Sequence, residues 1–272
     1  MGIARQKFAR RQAARGWGGL DGILDAVPQI GSNVVLAESL DPTMGQRCTI
    51  AIVRHETNFD KMIEPCSPSV VAVVVICKNA LETLPRALSS ILAQNPGQIL
   101  VAWTPYGAVD ETPKVVHQIA PKAKIIRVDA PGISAARNAA IQDLGHCEVV
   151  AWCDADDCWL PGKLEAQLKC LAQGASWVVT SCEKSEEIIT GFTPSTCAVS
   201  VSFLRQVGDW DPRFHLAADH DWMVRARRLE EPVVLEEVYV HKGVHGANAS
   251  NDRLAYRKEL MRWARLQNHS KP

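Results

Sequence analysis

Three carboxylates stand together near the middle of the chain, directly after an apolar run that ends at Cys153. They belong to Asp154, Asp156 and Asp157. Because neighbouring like charges repel, such a group is costly unless a cation or several hydrogen-bond donors neutralise it. Hard oxygen ligands suit Mg²⁺ or Mn²⁺, and these ions commonly hold the phosphates of a nucleotide. The cluster therefore indicates a metal and phosphate site. The simpler alternative is a solvated acidic turn that caps the next helix.

The segments around this cluster alternate between strand and helix. Continuous or near-continuous apolar stretches predict strands at residues 70–76, 98–103, 123–128 and 149–153. Apolar residues at helical spacing predict helices at residues 81–92, 112–119 and 134–144, with Ser134 as the cap of the third. Pro161 is expected to open a further helix. Repeated units of this kind imply a parallel sheet with right-handed crossovers.

The carboxyl ends of the strands form the edge where ligands collect in such sheets. The chain brings Asn79, the loop after Trp103, and the acidic cluster to that edge. After residue 175 the pattern changes to short strands of mixed character, interrupted by a helix predicted at residues 219–229. The sequence therefore predicts an α/β domain with one mainly parallel half and one mixed half.

The composition limits the class of protein. Apolar residues make up 47% of the 272, and thirty basic side chains balance thirty acidic ones. This balance gives no sign of an anionic membrane or a nucleic acid as partner, although a nucleic acid is not excluded. The longest apolar run, at residues 70–77, is far shorter than the roughly 20 residues of a membrane helix. Nine cysteines, an odd number without a Cys-x-x-Cys pair, favour a reducing compartment, so a cytoplasmic protein is expected.

The first 66 residues differ in character from the rest. Five basic residues and no acid occur in the first fifteen, which is compatible with a mitochondrial presequence but favours a solvated or partner-binding tail. We predict a basic extension at residues 1–66, a main domain at 67–255, and a C-terminal helix or tail at 256–272. Within the main domain, residues 67–165 form the first half and residues 166–255 the second half.

Five sequence blocks occur in order along the main domain, at residues 73–79, 132–138, 154–164, 210–225 and 241–250. Together they resemble the family 2 glycosyltransferases, which transfer a sugar from a nucleotide donor with inversion. The resemblance covers residues 70–250, about two-thirds of the chain. It implies the GT-A fold, a Rossmann-like and mainly parallel sheet flanked by helices, with a mixed acceptor-side half and a small N-terminal extension. Residues 67–165 would then bind the nucleotide sugar, and residues 166–255 would bind the acceptor.

The resemblance also implies a role for each acid of the cluster. Asp154 and Asp156 would hold the ribose and the metal of the sugar nucleotide, and Asp157 would bind the metal or support it. His245, from the fifth block, would ligate the metal or touch the diphosphate, with a purely structural histidine as the alternative. A Mn²⁺ or Mg²⁺ ion between both phosphates would stabilise the charge of the leaving nucleoside diphosphate.

Further donor contacts are implied for Cys77, Asn79, Trp103 and Arg137. Arg137 would face the diphosphate, a role that suits its fixed fork of donors. The alternative is an ordinary arginine on the surface of a helix.

Asp219 corresponds to the catalytic base of the family. An inverting displacement needs one carboxylate to accept the proton of the acceptor hydroxyl. Asp219 is expected just before the helix at 219–229, where it could cap the helix and still face the cleft, and capping alone is the simpler alternative. Asp221 is the alternative base, although it falls in the first turn and is expected to point elsewhere.

The chain departs from the family pattern in several places. The carboxylate that reads uracil is missing, because residues 101–107 contain no acid and the first one is Asp110. Trp103 or Tyr106 could stack on the base instead, so a UDP-sugar is the expected donor with the identity of the base left open. Residues 259–263 are similar to the Gln-x-x-Arg-Trp motif of processive synthases, but Glu259 replaces the glutamine and no membrane helix follows. We interpret them as an ordinary amphipathic helix end.

Three functions are compatible with these features. The leading one is a metal-dependent transferase that adds one sugar per encounter to a glycan, protein or lipid acceptor. The second is a degenerate transferase that serves as a binding or scaffold protein, because the base-reading acids are missing. The third is a sugar nucleotidyltransferase, which is disfavoured because the loop after the first strand, at residues 78–82, has one lysine and no glycine.

Overall fold

The structure, a computed structural model, describes Ser67 and residues 70–105, 110–244 and 252–269, as well as the backbone of two earlier strands. The chain divides into two units, Met1–Met62 and Ile63–Pro272. In the first unit, strands Val34–Leu40 (β1) and Arg47–Val53 (β2) pair antiparallel. The predictions made for the basic start of the chain, for Tyr106 and for His245 lie outside the described residues.

The second unit contains alternating strands and helices up to residue 172 and a mixed order afterwards, as predicted. Its strands are Val71–Cys77 (β3), Gln98–Trp103 (β4), Lys124–Arg127 (β5), Val149–Asp154 (β6), Cys158–Trp159 (β7), Trp177–Lys184 (β8), Glu187–Thr190 (β9), Cys197–Ser200 (β10) and Val233–His241 (β11). Its helices are Leu84–Leu92 (α1), Thr112–Ile119 (α2), Ile133–Ile141 (α3), Lys163–Ala172 (α4), Val201–Val207 (α5), Ala218–Leu229 (α6) and Arg253–His269 (α7). A short 3₁₀ helix, Pro194–Thr196, precedes β10.

Within the described residues, the strands of this unit form a nine-stranded sheet in the order β5-β4-β3-β6-β10-β8-β11-β7, with β9 paired to β8. Strands β3 to β6 are parallel, because a helix connects each of them to the next. Strand β10 runs antiparallel to both β6 and β8, and so joins the parallel half to the mixed half. The predicted α/β architecture is therefore confirmed.

Two apolar layers cover the two faces of the sheet. Side chains of a strand alternate between faces, so Ala72 and Val74 of β3 pack on one side and Val73 and Val75 on the other. The first layer includes residues of α3, α5 and α6, and the second includes residues of α1, α2 and α4. Strand β3 is buried almost throughout, which explains its continuous apolar sequence.

Three local predictions differ from the structure. Helix α3 begins after Gly132, which has φ of +99°, and Ser134 does not cap it. Helix α4 begins at Lys163, two residues after the proline that was expected to open it. Only short strands are expected after residue 175, but residues 233–241 form one irregular strand of nine residues, β11, because a change of register near Val238 interrupts its pairing with β8 without ending it.

Among the helices that the structure describes, none combines the length and apolar character needed to cross a bilayer. The cysteines of the described residues are free thiols, and Cys77, Cys153, Cys182 and Cys197 are buried. They act as small apolar side chains of the core.

Candidate active site

The carboxyl ends of three neighbouring strands lie side by side at one edge of the sheet. The register pairs Ile76 of β3 with Asp154 of β6, and Cys77 of β3 with Trp103 of β4. Parallel pairing brings equivalent ends of strands to one edge, so the sequence prediction that these segments converge agrees with the register.

The acidic cluster follows directly from the end of β6. Asp154, Asp156 and Asp157 each offer one carboxylate oxygen, and these three atoms lie within 4.8 Å of one another. The side chain of Asp154 is 30% exposed, whereas that of Asp157 is fully buried. The three acids therefore share one site but differ in their access to a ligand.

Asp157 is held by three protein donors. Its Oδ2 accepts hydrogen bonds from Ser195 Oγ and from Lys242 Nζ (2.6 Å), and its Oδ1 accepts one from the backbone nitrogen of Gly243 (2.9 Å). Burial raises the pKa of Asp157 to about 6, against the opposing charge of Lys242. Both carboxylate oxygens of Asp157 therefore have protein partners, and its side chain is fully buried.

Lys242 lies between two of the acids. Its Nζ is 2.6 Å from Asp157 Oδ2 and 3.3 Å from Asp154 Oδ2. Burial alone would lower the pKa of Lys242, but the two carboxylates raise it well above its ordinary value. Burial likewise opposes ionisation of Asp154, yet Lys242 and Arg137 together lower its pKa. The ammonium group of Lys242 therefore supplies part of the positive charge that neutralises the acidic cluster.

Gly243 is pressed against the same loop. A Cβ at this position would overlap the backbone carbonyl of Asp156. The absence of a side chain thus allows its backbone nitrogen to reach Asp157.

The donor set fits a divalent ion on the side of Asp154 and Asp156. Carboxylate oxygens are the ligands that Mg²⁺ and Mn²⁺ prefer. Asp156 is partly exposed, and one of its oxygens is close enough to the other acids to share an ion with Asp154. Such an ion would lie beside the ammonium of Lys242, so the ion and the lysine must divide the charge of Asp154 between them.

Arg137 connects the acidic cluster to the second half of the domain. Its Nη2 donates a hydrogen bond to Asp219 Oδ2 (3.0 Å) and lies 3.6 Å from Asp154 Oδ1, and its Nε lies 2.8 Å from Asp219 Oδ1. The guanidinium also packs over the rings of Trp152 and Trp210, at 5.2 and 5.6 Å from their centroids. Its side chain is only 1% exposed, so the alternative of an ordinary surface arginine is wrong.

Asp219 lies in the first turn of α6 and is 24% exposed. Besides Arg137, its carboxylate accepts a hydrogen bond from Trp210 Nε1 (3.0 Å). Its side chain does not cap α6, so the alternative of a capping role is wrong. Asp221 is buried and bonds to Arg225 and to Trp263 Nε1, so it points away from this site as expected.

Helix α3 positions the loop that leads to Asp219. Ser134 Oγ donates to the backbone oxygens of Asp211 (3.1 Å) and Phe214 (3.0 Å), which explains why it is not a cap. The amide of Asn138 donates to the backbone oxygen of Trp210 (2.8 Å) and accepts from its nitrogen (2.9 Å). Two blocks that are far apart in the sequence therefore form one rigid contact beside the acidic cluster.

The other three predicted donor residues have different environments. Cys77 is buried in the core, so its thiol does not reach a ligand. The same burial raises the pKa of the thiol to about 12. Asn79 is exposed just beyond β3, with φ of +49°. Trp103 is half-buried, donates from Nε1 to Asp110 Oδ2 (2.9 Å), and lies under the guanidinium of Arg127 at 5.6 Å. Of these three, Asn79 and Trp103 are accessible at the sheet edge.

A cavity of about 340 Å³ adjoins the cluster, lined by Glu82, Thr83, Arg86, Lys242, Gly243 and Val244. Arg86 Nη2 donates to the backbone oxygen of Asp156 (3.0 Å), so two basic side chains face this cavity. Sequence reasoning missed Arg86, Ser195 and Lys242. Lys242 lies in the fifth block and could have been found there, whereas nothing in the sequence distinguishes Ser195.

Comparisons with known proteins identify similar sequences. The sequence model described as "Glycosyl transferase family 2" matches residues 72–231, which is more than half of the chain. The "Succinoglycan biosynthesis protein ExoU" of Rhizobium meliloti is 31% identical over 102 residues, which are 36% of this chain and 29% of that protein.

Solved structures with a similar fold include two with bound nucleotides. TarS of S. aureus in complex with UDP has a TM-score of 0.56 at 15% identity, over 64% of this chain and 60% of that one. The mannosyltransferase PcManGT of Pyrobaculum calidifontis, in complex with GDP-Man and Mn²⁺, has a TM-score of 0.53 at 19% identity, over 68% of this chain and 59% of that one. At such identities the similarity shows a common fold. The chain matches less than two-thirds of the length of each of these relatives.

Proposed function

Because this chain belongs to glycosyl transferase family 2, we propose that it transfers a single sugar from a nucleotide-sugar donor to an acceptor hydroxyl, with inversion. The family match confirms the resemblance found in the sequence blocks, and the sheet together with the structural relatives confirms the GT-A fold. In the proposed reaction Asp219 is the general base and the acidic cluster holds the donor with a divalent ion.

The contact through Arg137 is the observation that carries this proposal. One buried guanidinium bonds to Asp219 and lies near Asp154, so the proposed base and the proposed donor site are held a fixed distance apart. A transferase needs such a link, since the acceptor oxygen must approach the anomeric carbon in a defined direction. Arg137 is buried beneath both acids, so we propose that it positions them and does not contact the diphosphate as the resemblance implies.

On the donor side, Asp154 and Asp156 would hold the ion, and Asp157 would keep their loop in place through its three donors. A bound Mn²⁺ or Mg²⁺ would stabilise the negative charge that develops on the departing diphosphate. Lys242 and Arg86, which line the adjacent cavity, can add hydrogen bonds to the same phosphates. The proposed role of His245 as a further ligand concerns a residue outside the described part of the chain.

On the acceptor side, Asp219 would accept the proton of the hydroxyl as its oxygen forms a bond to the anomeric carbon. The bond from that carbon to the diphosphate oxygen breaks in the same step, and its electron pair leaves with the nucleoside diphosphate. Trp210 and Arg137 hold the carboxylate in one orientation, and its exposed part can meet the acceptor. A general base must lie within hydrogen-bond distance of the group whose proton it accepts.

We propose a UDP-sugar as donor, with a GDP-sugar as the second candidate. One similar structure holds UDP and another holds GDP-Man with Mn²⁺. The base-reading carboxylate of the family has no equivalent here, because Asp110 bonds to Trp103 and to the backbone nitrogen of Thr112. A nucleobase would therefore be recognised chiefly by stacking on the ring of Trp103, which also lies against the guanidinium of Arg127. A glycan, protein or lipid hydroxyl would be the acceptor.

The test measures nucleotide binding and turnover separately. UDP and GDP, each with MnCl₂, are tested for an increase of the melting temperature, and UDP- and GDP-sugars are tested for hydrolysis. Asp156→Ala should lose the Mn²⁺-dependent increase and the turnover. Asp219→Asn should keep the increase but lose at least about a hundredfold in turnover, since one general base contributes about 10² to 10⁴.

Asp143→Asn provides the control, because Asp143 is a half-exposed carboxylate paired with Lys124 at the opposite edge of the sheet. Unchanged turnover in both site variants would refute the proposed roles. Absence of any Mn²⁺-dependent binding of UDP or GDP would favour the alternative of a non-enzymatic binding protein. Release of pyrophosphate from a nucleoside triphosphate and a sugar phosphate would favour a nucleotidyltransferase instead.

A further inference from the structure

Glu259, in the C-terminal helix α7, accepts hydrogen bonds from three consecutive backbone nitrogens. Its Oε2 lies 3.0 Å from the nitrogen of His215, 2.8 Å from that of Leu216 and 2.9 Å from that of Ala217. These residues directly precede α6, and Ala217 is its cap residue. The first amides at a helix start have no partner within the helix, and the helix dipole favours a negative charge there. Glu259 therefore provides hydrogen-bond acceptors for the cap residue and for the two residues before it, at the start of the helix that carries Asp219.

Trp263 makes a second contact with the same helix, one turn further along α7. Its Nε1 donates to Asp221 Oδ1 (2.9 Å), and its ring packs edge-on against His220, with the ring centroids 4.8 Å apart. Residues four apart lie on one face of a helix, so Glu259 and Trp263 both face α6. Asp219 thus lies between a segment held by Glu259 and a residue held by Trp263.

The apolar face of α7 fixes this arrangement. Tyr256, Leu260, Trp263 and Leu266 pack against the core layer that contains Trp210 and Trp222. Trp210 also donates to Asp219 and is held by Asn138, so it fixes the position of the carboxylate from the other side. The first turn of α6 is consequently held from two directions, by α3 and by α7.

We propose that Glu259 and Trp263 are positioning residues for Asp219, so that α7 is a working part of the catalytic unit although the family match ends at residue 231. This inference rests on the proposed function, because it assumes that Asp219 acts as the base. It also gives a different meaning to residues 259–263, which the sequence suggested were an ordinary helix end. The segment is helical, but Glu259 and Trp263 both form hydrogen bonds to α6 or to the residues directly before it.

The proposal predicts a specific fault when either contact is removed. Glu259→Gln keeps the size of the side chain but loses the charge and one of the two equivalent oxygens. Trp263→Phe keeps an aromatic ring but loses the donor to Asp221. Each change should let the start of α6 move while the donor site remains intact, since neither residue contacts the acidic cluster. A displacement of about 1 Å at a catalytic group can lower the rate roughly a hundredfold.

The experiment uses the full chain and two readouts that do not depend on activity. The first is hydrogen–deuterium exchange of the amides of residues 215–217. The second is the ¹⁵N-indole NMR signal of Trp210, which reports the hydrogen bond to Asp219. Binding of UDP with MnCl₂ and turnover of the donor are measured alongside. Glu165→Gln is the control, because Glu165 is an exposed glutamate on α4, which covers the other face of the sheet.

In Glu259→Gln we expect roughly tenfold or faster exchange at residues 215–217, a shifted Trp210 signal, and turnover lowered about tenfold to a hundredfold with UDP affinity unchanged. Trp263→Phe should shift the Trp210 signal and lower turnover in the same direction, and the control should match the wild type. A wild-type Trp210 signal and turnover in both variants, with Asp219→Asn inactive, would overturn this inference and leave the base in place. If Asp219→Asn is fully active, the proposed function fails instead, whatever the two variants do.

Discussion

Replacement of Arg137 by methionine tests the central contact of the site. Methionine fills much of the same volume but carries no charge and no donor. In the variant Asp219 loses two close contacts, at 2.8 and 3.0 Å, and Asp154 loses a positive charge at 3.6 Å. We expect a less stable protein that has also lost most of its turnover.

The magnitude follows from burial. Removing one partner of a buried ion pair costs about 3 to 5 kcal/mol, because the other charge is left without compensation. Asp219 and Asp154 are 24% and 30% exposed, so water can compensate part of this loss and the lower end of the range applies. Loss of the cation–π contacts with Trp152 and Trp210 adds about 1 kcal/mol. The expected loss of unfolding free energy is therefore about 3 to 4 kcal/mol.

Urea unfolding of the wild type and the variant measures this loss, with Arg213→Met as the matched control. Arg213 bonds to Asp211 with distances as short as 2.6 Å, but its side chain is 59% exposed. An exposed pair of this kind contributes about 0 to 1 kcal/mol. Both substitutions thus remove a guanidinium bonded to an aspartate, one buried and one exposed, and Arg137 in addition faces a second acid and two tryptophan rings.

A double variant identifies the source of the loss. If the stranded carboxylate of Asp219 is responsible, Arg137→Met should cost less in the background of Asp219→Asn, by about 1 to 3 kcal/mol. Equal losses for Arg137→Met and Arg213→Met would refute the reasoning from burial. If Arg137→Met costs about 3 to 4 kcal/mol equally in the wild type and in the Asp219→Asn background, then packing against the tryptophans and not the ion pair is the source of the loss.

Two further predictions concern lysines, the partly buried Lys242 and the fully buried Lys163. Lys242→Met should lower the melting temperature in the absence of metal, because Asp157 is left buried without its cation. MnCl₂ should then raise the melting temperature of this variant by more than it raises that of the wild type. The exposed Lys114→Met is the control, and an equal response to MnCl₂ in the wild type and in Lys242→Met would contradict this prediction. Burial lowers the pKa of Lys163 to about 7 from 10.5 in the unfolded chain, so the unfolded chain binds more protons between these values and stability rises with pH there. From pH 7 to pH 9 the wild type should gain about 2 kcal/mol from this group, at about 1.36 kcal/mol per pH unit of full linkage, and Lys163→Met should lack that gain in urea unfolding at the two pH values.

Much of the fold was predictable because its signals are local. Strand β3 is covered on both faces, so its sequence is continuously apolar and stands out without any alignment. The order of strands and helices then implies a parallel sheet, and the ends of the parallel strands bring Asp154 and Trp103 to one edge. Details of helix starts were less predictable. Ser134 has the residue type of a cap, but its hydroxyl bonds to backbone oxygens about 80 residues away.

The partners of the charged residues were not predictable, because they are distant in the sequence. Arg137 and Asp219 are 82 positions apart, and Asp157 and Lys242 are 85 apart. Periodicity shows which face of a helix is apolar but says nothing about which charge from another segment will meet it. Glu259 is the clearest case, since its contacts lie 42 to 44 positions away and its own helix has an ordinary amphipathic pattern.

By itself, the sequence therefore determined the α/β class, the family blocks and the clustering of three acids in one loop, because these depend on residues that are close together in the chain. Only the tertiary structure decided how the negative charge of that loop is balanced, by Lys242 and Arg137, and how Asp219 is oriented, by Trp210 and Arg137. The physical reason is that an ion pair is stabilised by short distance and burial, and both arise only when separate segments pack against one another.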